Sequence, residues 1–209
     1  MARPSRVSAA TPVRSSSTAP AGDEAQESSL IPIGAPAPPF SLRDSRGRAH
    51  TLVSLRGSTV VLYFYPKDSS AACTEQACAF EARRPSLRRK GVVLLGVSPD
   101  PAASHARFAE TNDLHFPLLV DERDVEGTPL TCERYGVWQR KTMYGKAYMG
   151  VVRTTYIIDP RGCVTHRFDA VKVKGHVDAV LAALGFETPS VTRPVPVRRR
   201  DRTQQTATQ

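Results

Sequence analysis

The chain has no run of about 18 apolar residues, so no transmembrane helix is predicted. Met1-Ala2-Arg3-Pro4-Ser5-Arg6 leads into no apolar segment, so a secretory signal is not expected. No internal repeat is visible, which excludes solenoids and propellers. Cysteine is scarce: Cys73, Cys78, Cys132 and Cys163 are the only four in 209 residues. That is too few, too unevenly placed, for a secreted disulfide framework. No two of them form Cys-x-x-Cys, the usual spacing of a redox dithiol. The five histidines show no pairing suited to a metal site or a Cys-His hydrolase, and neither metal nor cofactor is expected. One close cysteine pair and two scattered thiols suit an intracellular, cytoplasmic protein with redox chemistry at the pair.

What the chain does have is arginine at its ends. The formal charge is +9. Residues 1–29 balance to zero, and residues 190–209 carry +4, which leaves about +5 for the middle. Residues 1–29 are rich in Ser, Ala, Pro and Thr without periodicity and are expected to be disordered. Their early Arg and Ser, with few acids, weakly resemble an organelle transit segment, the alternative to a cytoplasmic location. Residues 189–209 are expected to be a second disordered, basic tail. Its Arg198-Arg199-Arg200 cluster could touch nucleic acid only weakly, and a solvated tail is the plainer reading.

Between the tails, residues 30–188 are expected to form one domain. Ser41–Leu52 predicts a short hairpin around Ser45-Arg46-Gly47. Thr59–Tyr65 is a continuous run of β-formers, the pattern of a central strand buried on both faces, and Pro66 ends it. Thr74–Arg84 predicts a helix that Pro85 kinks or restarts. Val92–Val97 predicts a second buried strand. Pro101–Thr111 predicts a helix capped by Asp100, and Pro117–Val120 a short strand. Thr154–Ile158 and Val164–Phe168 flank the turn Asp159-Pro160-Arg161-Gly162 and predict a hairpin. His176–Leu184 predicts a closing helix that stops at Gly185. This βαβα order with a ββα ending predicts a three-layer α/β domain with a mixed sheet.

The sharpest local feature is Cys73-Thr74-Glu75-Gln76-Ala77-Cys78, directly after a buried strand. Cys73 falls in or beside the first helical turn, where unpartnered N–H groups stabilise negative charge and so favour the thiolate. A thiolate is the form that attacks an electrophilic oxygen or sulfur. The competing reading is a buried cysteine acting as a small hydrophobe. Five helical steps separate Cys78 from Cys73 by about 7.5 Å along the axis and about 140° around it. Their Cα atoms then exceed the roughly 7 Å limit for a disulfide. The pair is a poor static staple and suits a transient bridge that forms after Cys73 reacts and the first turns melt.

Here the sequence resembles the peroxiredoxins, most closely the peroxiredoxin Q or bacterioferritin comigratory protein subfamily. The family pattern Pro-x-x-x-Thr/Ser-x-x-Cys reads Pro66-Lys67-Asp68-Ser69-Ser70-Ala71-Ala72-Cys73. Tyr63-Phe64-Tyr65-Pro66-Lys67-Asp68 is similar to the subfamily's lead-in. Gly34–Leu42, Tyr135-Gly136-Val137-Trp138, Tyr144-Gly145-Lys146 and Gly150–Tyr156 resemble its other blocks, over about residues 32–185.

The resemblance implies a thioredoxin-like fold and a thiol peroxidase acting on hydrogen peroxide and organic hydroperoxides. Cys73 would become a sulfenic acid, and Cys78 would resolve it as an intramolecular disulfide. Arg153 would hold the thiolate and polarise the peroxide. Taken alone, such an arginine reads as a surface ion pair. Ser70 would hydrogen-bond the peroxide, and Pro66 would shield the thiolate. A thioredoxin-like protein would return the electrons, and a monomer is expected. The chain departs from the subfamily in having Ser70-Ala71-Ala72 where Thr-Pro-Gly is usual, which changes the stiffness of the loop. Arg123–Thr131 is also longer than the pattern. Cys132 is expected in a short helix as a buried thiol, and Cys163 as a packed strand residue. The alternatives are a thiol-disulfide oxidoreductase on the same fold, which Cys-x-x-Cys would favour, and a non-enzymatic module that binds through its arginine-rich tail.

Overall fold

Thr59–Tyr65 alternates toward two sides, and both sides are apolar. In the computed structural model, which describes residues 30–186, this run forms strand β3 (Thr59–Phe64) well inside a seven-stranded sheet. Val60, Leu62 and Phe64 enter one core, and Val61 and Tyr63 enter the other. The other strands of that sheet are β1 (Ser41–Asp44), β2 (Ala49–Thr51), β4 (Val92–Ser98), β5 (Leu118–Val120), β8 (Thr154–Ile158) and β9 (Val164–Phe168). Their order is β2-β1-β5-β4-β3-β8-β9. β4 runs parallel to β3 and β5, and the remaining pairs are antiparallel, so the sheet is mixed as expected.

Helices α1 (Ala71–Arg89), α2 (Ala102–Thr111) and α4 (His176–Ala183) cover one face through Phe80, Leu87, Phe108, Val180 and Leu181. The short α3 (Leu130–Arg134), the Tyr135–Trp138 stretch and Phe40 close the other. The hairpins at Ser45-Arg46-Gly47 and Asp159–Gly162 form where turn chemistry places them. Among the described residues, no helix is long and apolar enough to cross a membrane. The readings of residues 1–29 and 189–209, including the arginine-rich tail, lie outside the described residues.

Several local expectations need correction. Pro85 does not restart the helix: α1 is continuous from Ala71 to Arg89, starting three residues earlier than predicted. An interior proline costs about 3 kcal/mol. Phe80 and Leu87, fully buried on either side of it, each return about 1.5–3 kcal/mol, which offsets the loss. Asp100 does not cap α2. Pro101 takes the cap position with extended backbone and no side-chain bond, while the Asp100 carboxylate accepts the Asp68 N–H and the Ser98 hydroxyl. Cys163 is half-buried and lies just before β9, bridged to Pro36. Cys132 is fully buried in α3 as expected. The extra length after Arg123 is taken up in a closed turn: the Asp124 carboxylate accepts the Glu126 and Thr128 N–H groups, and Arg123 bridges to Pro129.

Sequence reasoning missed a separate two-stranded hairpin, β6 (Trp138–Met143) with β7 (Lys146–Val151). Tyr144-Gly145 turns it with φ of 50° and 74°. Two residues at positive φ match the twist of antiparallel strands, so this X-Gly dipeptide was the available signal.

Candidate active site around Cys73

β3 runs its ladder one residue past its end, with Tyr65 N–H donating to Val97 O at 3.0 Å. Pro66 has no N–H to continue it. The chain then turns through Ser69, whose φ of 56° lies in the left-handed region. Ser70 is extended and occupies the cap position of α1, and its carbonyl accepts the Thr74 N–H at 2.9 Å. Cys73 is therefore the third residue of the helix, inside its first turn as expected, and is 1% exposed. Cys78, five residues on, is exposed, and its thiol donates to Asn112 Oδ1 at 3.9 Å. The two cysteines occupy different sides of one helix, and both are free thiols.

Arg153 reaches Cys73 through the sheet. β3 and β8 pair with Phe64 opposite Thr154, so the residue before β8 lies level with the start of the Pro66–Ser70 loop. Its guanidinium Nη2 donates to Cys73 Sγ at 3.0 Å. A fixed cation so placed can stabilise charge as it moves between the sulfur and a reacting oxygen. Ser70 Oγ donates within the loop to Lys67 O at 3.2 Å. Pro66 and Ser70 are both half-buried beside this pair in sequence. Every site residue taken from the sequence thus falls on the β3–α1 connection, on α1 itself, or at the start of β8.

Three residues around Cys73 were not foreseen. Among the described residues, the buried side-chain N and O atoms without a hydrogen-bond partner are Tyr63 OH, both amide atoms of Gln76, and Arg153 Nε. Gln76 follows Cys73 by three residues, which puts it on the same helical face. Burial, followed by the charges of Cys73 and Asp68, pushes the Tyr63 phenol well above its ordinary range. Gly96 faces Tyr63 across the β3–β4 pair, and any Cβ there would fall 2.9 Å from its ring. A buried unpartnered polar group costs about 1–3 kcal/mol, so such groups are scarce in stable cores. The third residue is Lys141 on β6, half-buried with Nζ donating to Val151 O at 2.9 Å. Burial and then the Arg153 charge lower its pKa, while Cys73 opposes them. Nothing in a lone lysine on an unrecognised strand signals this in the sequence.

A family model, the AhpC/TSA family, matches residues 33–167. The chain belongs to the AhpC/TSA family, on its peroxiredoxin Q/Bcp branch. Peroxiredoxin Bcp of Escherichia coli is 41% identical over 145 residues, 69% of this chain and 90% of that one. Peroxiredoxin Bcp of Bacillus subtilis is 39% identical over 154 residues, 74% of this chain and 95% of that one. Among solved structures, the bacterioferritin comigratory protein of Xanthomonas campestris, studied for alkyl peroxide reduction in trapped intermediate and ligand complexes, superposes with a TM-score of 0.65. It is 39% identical, over 70% of this chain and 90% of that chain. A cysteine-to-serine variant of Xylella fastidiosa PrxQ superposes at 0.69 with 30% identity, over 75% and 97%. The peroxiredoxin fold is thus thioredoxin-like, as the sequence resemblance implied, and the protein is a thiol-dependent peroxidase.

No group of three or more His, Cys, Asp or Glu among the described residues could hold a metal ion. The peroxiredoxin's remaining thiol near the core, Cys132, is chemically quiet. Burial, and then the Asp121 charge, raise its pKa well above the ordinary thiol range, and Asp121 accepts the N–H groups of Thr131 and Cys132.

Proposed function

We propose that Cys73 is the residue that attacks the hydroperoxide and that Cys78 resolves the product. The observation that carries this reading is the 3.0 Å bond from Arg153 to the buried Cys73 Sγ. The thiolate attacks the terminal oxygen of ROOH, a sulfur–oxygen bond forms, and the O–O bond breaks. The leaving RO⁻ takes a proton and departs as alcohol, or as water from hydrogen peroxide. Arg153 stabilises the charge as it moves from sulfur to oxygen. Ser70 turns its hydroxyl from the Lys67 carbonyl to the bound peroxide, and Pro66 keeps solvent off the sulfur.

The Cys78 thiol then condenses with the Cys73 sulfenic acid, and water leaves as the disulfide forms. A thioredoxin-like dithiol protein exchanges with that disulfide and restores both thiols. The alkyl peroxide activity of the Xanthomonas campestris relative supports organic hydroperoxides as substrates beside hydrogen peroxide. Stopped-flow measurement of peroxide loss tests the assignment. Cys73→Ser should abolish turnover in a folded protein, and retention of more than a few per cent of it would move the role to another cysteine.

A further inference from the structure

The loop that delivers Cys73 contains little that would hold it still. Ser69-Ser70-Ala71-Ala72 has neither proline nor a large buried side chain, and Ser69 stands at positive φ, which an L-residue adopts only when its surroundings impose it. The anchor is Asp68, 4% exposed. One carboxylate oxygen accepts the Tyr65 hydroxyl at 2.8 Å, and the other accepts His105 Nδ1 at 2.8 Å. The Asp68 N–H is held by the Asp100 carboxylate, which the Ser98 hydroxyl steadies.

His105 lies on α2 and is completely buried. Its other nitrogen, Nε2, meets the Leu119 carbonyl at 3.2 Å. A carbonyl only accepts, and an ionised carboxylate only accepts, so both ring nitrogens must carry protons. Asp68 is the ionised partner. Burial pushes its carboxyl up, but the hydrogen bond and charge of His105, with bonds from Ser104 and Tyr65, outweigh burial and hold it below the usual carboxylate range. Among the described residues, the charged or titratable groups that act on the pair include Tyr63 on β3, Tyr65 after it and Asp100 after β4.

We propose that His105, held as a buried imidazolium against Asp68, is a positioning residue for the peroxidase reaction: it fixes the Pro66–Ser70 segment and so sets the placement of Ser70 and of the first turn of α1 around Cys73. The pair touches neither the sulfur nor the peroxide and acts only through the loop. It ties that loop to α2 and, through the Leu119 carbonyl, to β5, so two elements remote from Cys73 in sequence share in holding it. The inference rests on Cys73 as the reacting residue.

Three measurements on the full chain test it. In a ¹⁵N-edited spectrum of the wild type at neutral pH, His105 should carry protons on both ring nitrogens, since each faces an acceptor. Asp68→Asn keeps the shape but replaces the charge-assisted bond to His105 with a weaker neutral one, and so loosens the hold on the loop. It should slow the reaction of Cys73 with hydrogen peroxide at least tenfold per folded molecule. It should also speed amide exchange at Ser69–Ala72 in the reduced protein, which general destabilisation spread over the fold would not confine to that loop. His105→Leu should do the same more strongly, and if it does not fold, Asp68→Asn and the wild-type spectrum decide. A bare ring nitrogen on His105 at neutral pH, an unchanged rate constant in Asp68→Asn, or unchanged exchange in the loop would each overturn the proposal. Failure of the underlying assignment looks different, because peroxide loss would then survive Cys73→Ser.

Discussion

Cys73 and Cys78 lie on one uninterrupted helix, the first sealed from solvent and the second at the surface. Because the helix itself separates them, a bond between them requires its first turns to open. Oxidation with one equivalent of peroxide should give a Cys73–Cys78 disulfide within one chain, seen by peptide mapping, and faster amide exchange across Thr74–Ala79. Cys78→Ser should still consume one equivalent and then stop as a sulfenic acid or over-oxidise. A bridge from Cys73 to Cys132, to Cys163 or to a second chain would refute Cys78 as the partner.

Arg153→Ala removes a side-chain cation that donates to the sulfur. Peroxide reduction should slow by a factor on the order of 10²–10³, the range for loss of one transition-state donor. If the rate stays at wild-type level, the 3.0 Å contact has no part in catalysis.

His176 governs an acid limb of stability. It is buried beneath Phe80 and Phe168, with Nε2 at 3.0 Å from Thr155 Oγ1. Burial, and then the Arg153 charge, lower its pKa from 6.5 to about 4. The folded form therefore keeps it neutral while the unfolded chain protonates it, so the unfolded state binds more protons between these values. That contribution is fully present above pH 6.5 and is lost as pH falls toward 4. The melting temperature should drop across this window in the wild type and drop less in His176→Gln. Equal slopes for the two proteins would show that other groups carry the acid limb.

Cys132 should resist alkylation in the native protein under conditions that label Cys78 within minutes, because it is buried and its thiolate is disfavoured. Mass mapping after a short pulse of iodoacetamide reads this out. Labelling of Cys132 at the rate of Cys78 would mean that α3 opens on that timescale.

Much of this was legible in the sequence because it is local. The run Thr59–Tyr65 needs apolar neighbours on both sides, and the two hairpin turns follow from residues side by side. Cys73 and Cys78 declare their geometry through helical spacing alone. What local reading lost was decided at a distance. Asp100 looks like a cap until a buried N–H at Asp68 competes for its carboxylate. Pro85 looks like a break until the burial of Phe80 and Leu87 is weighed against one hydrogen bond. The β6–β7 hairpin mixes polar and apolar residues because most of it faces solvent, so it carries no clear period. His105 and Asp68 sit 37 residues apart, and no spacing rule joins them.

The pairing of Phe64 with Thr154 has one more consequence. Arg153 owes its place to strand alignment, since a shift of one residue turns every side chain of β8 to the opposite face. Thr154–Ile158 is buried along its whole length, so a slipped strand would still be covered by apolar neighbours and could persist as folded protein. Turnover is then a finer gauge of the sheet than any melting curve. Core substitutions along β3 or β8, far from the sulfur, are where a well-folded yet silent enzyme would arise.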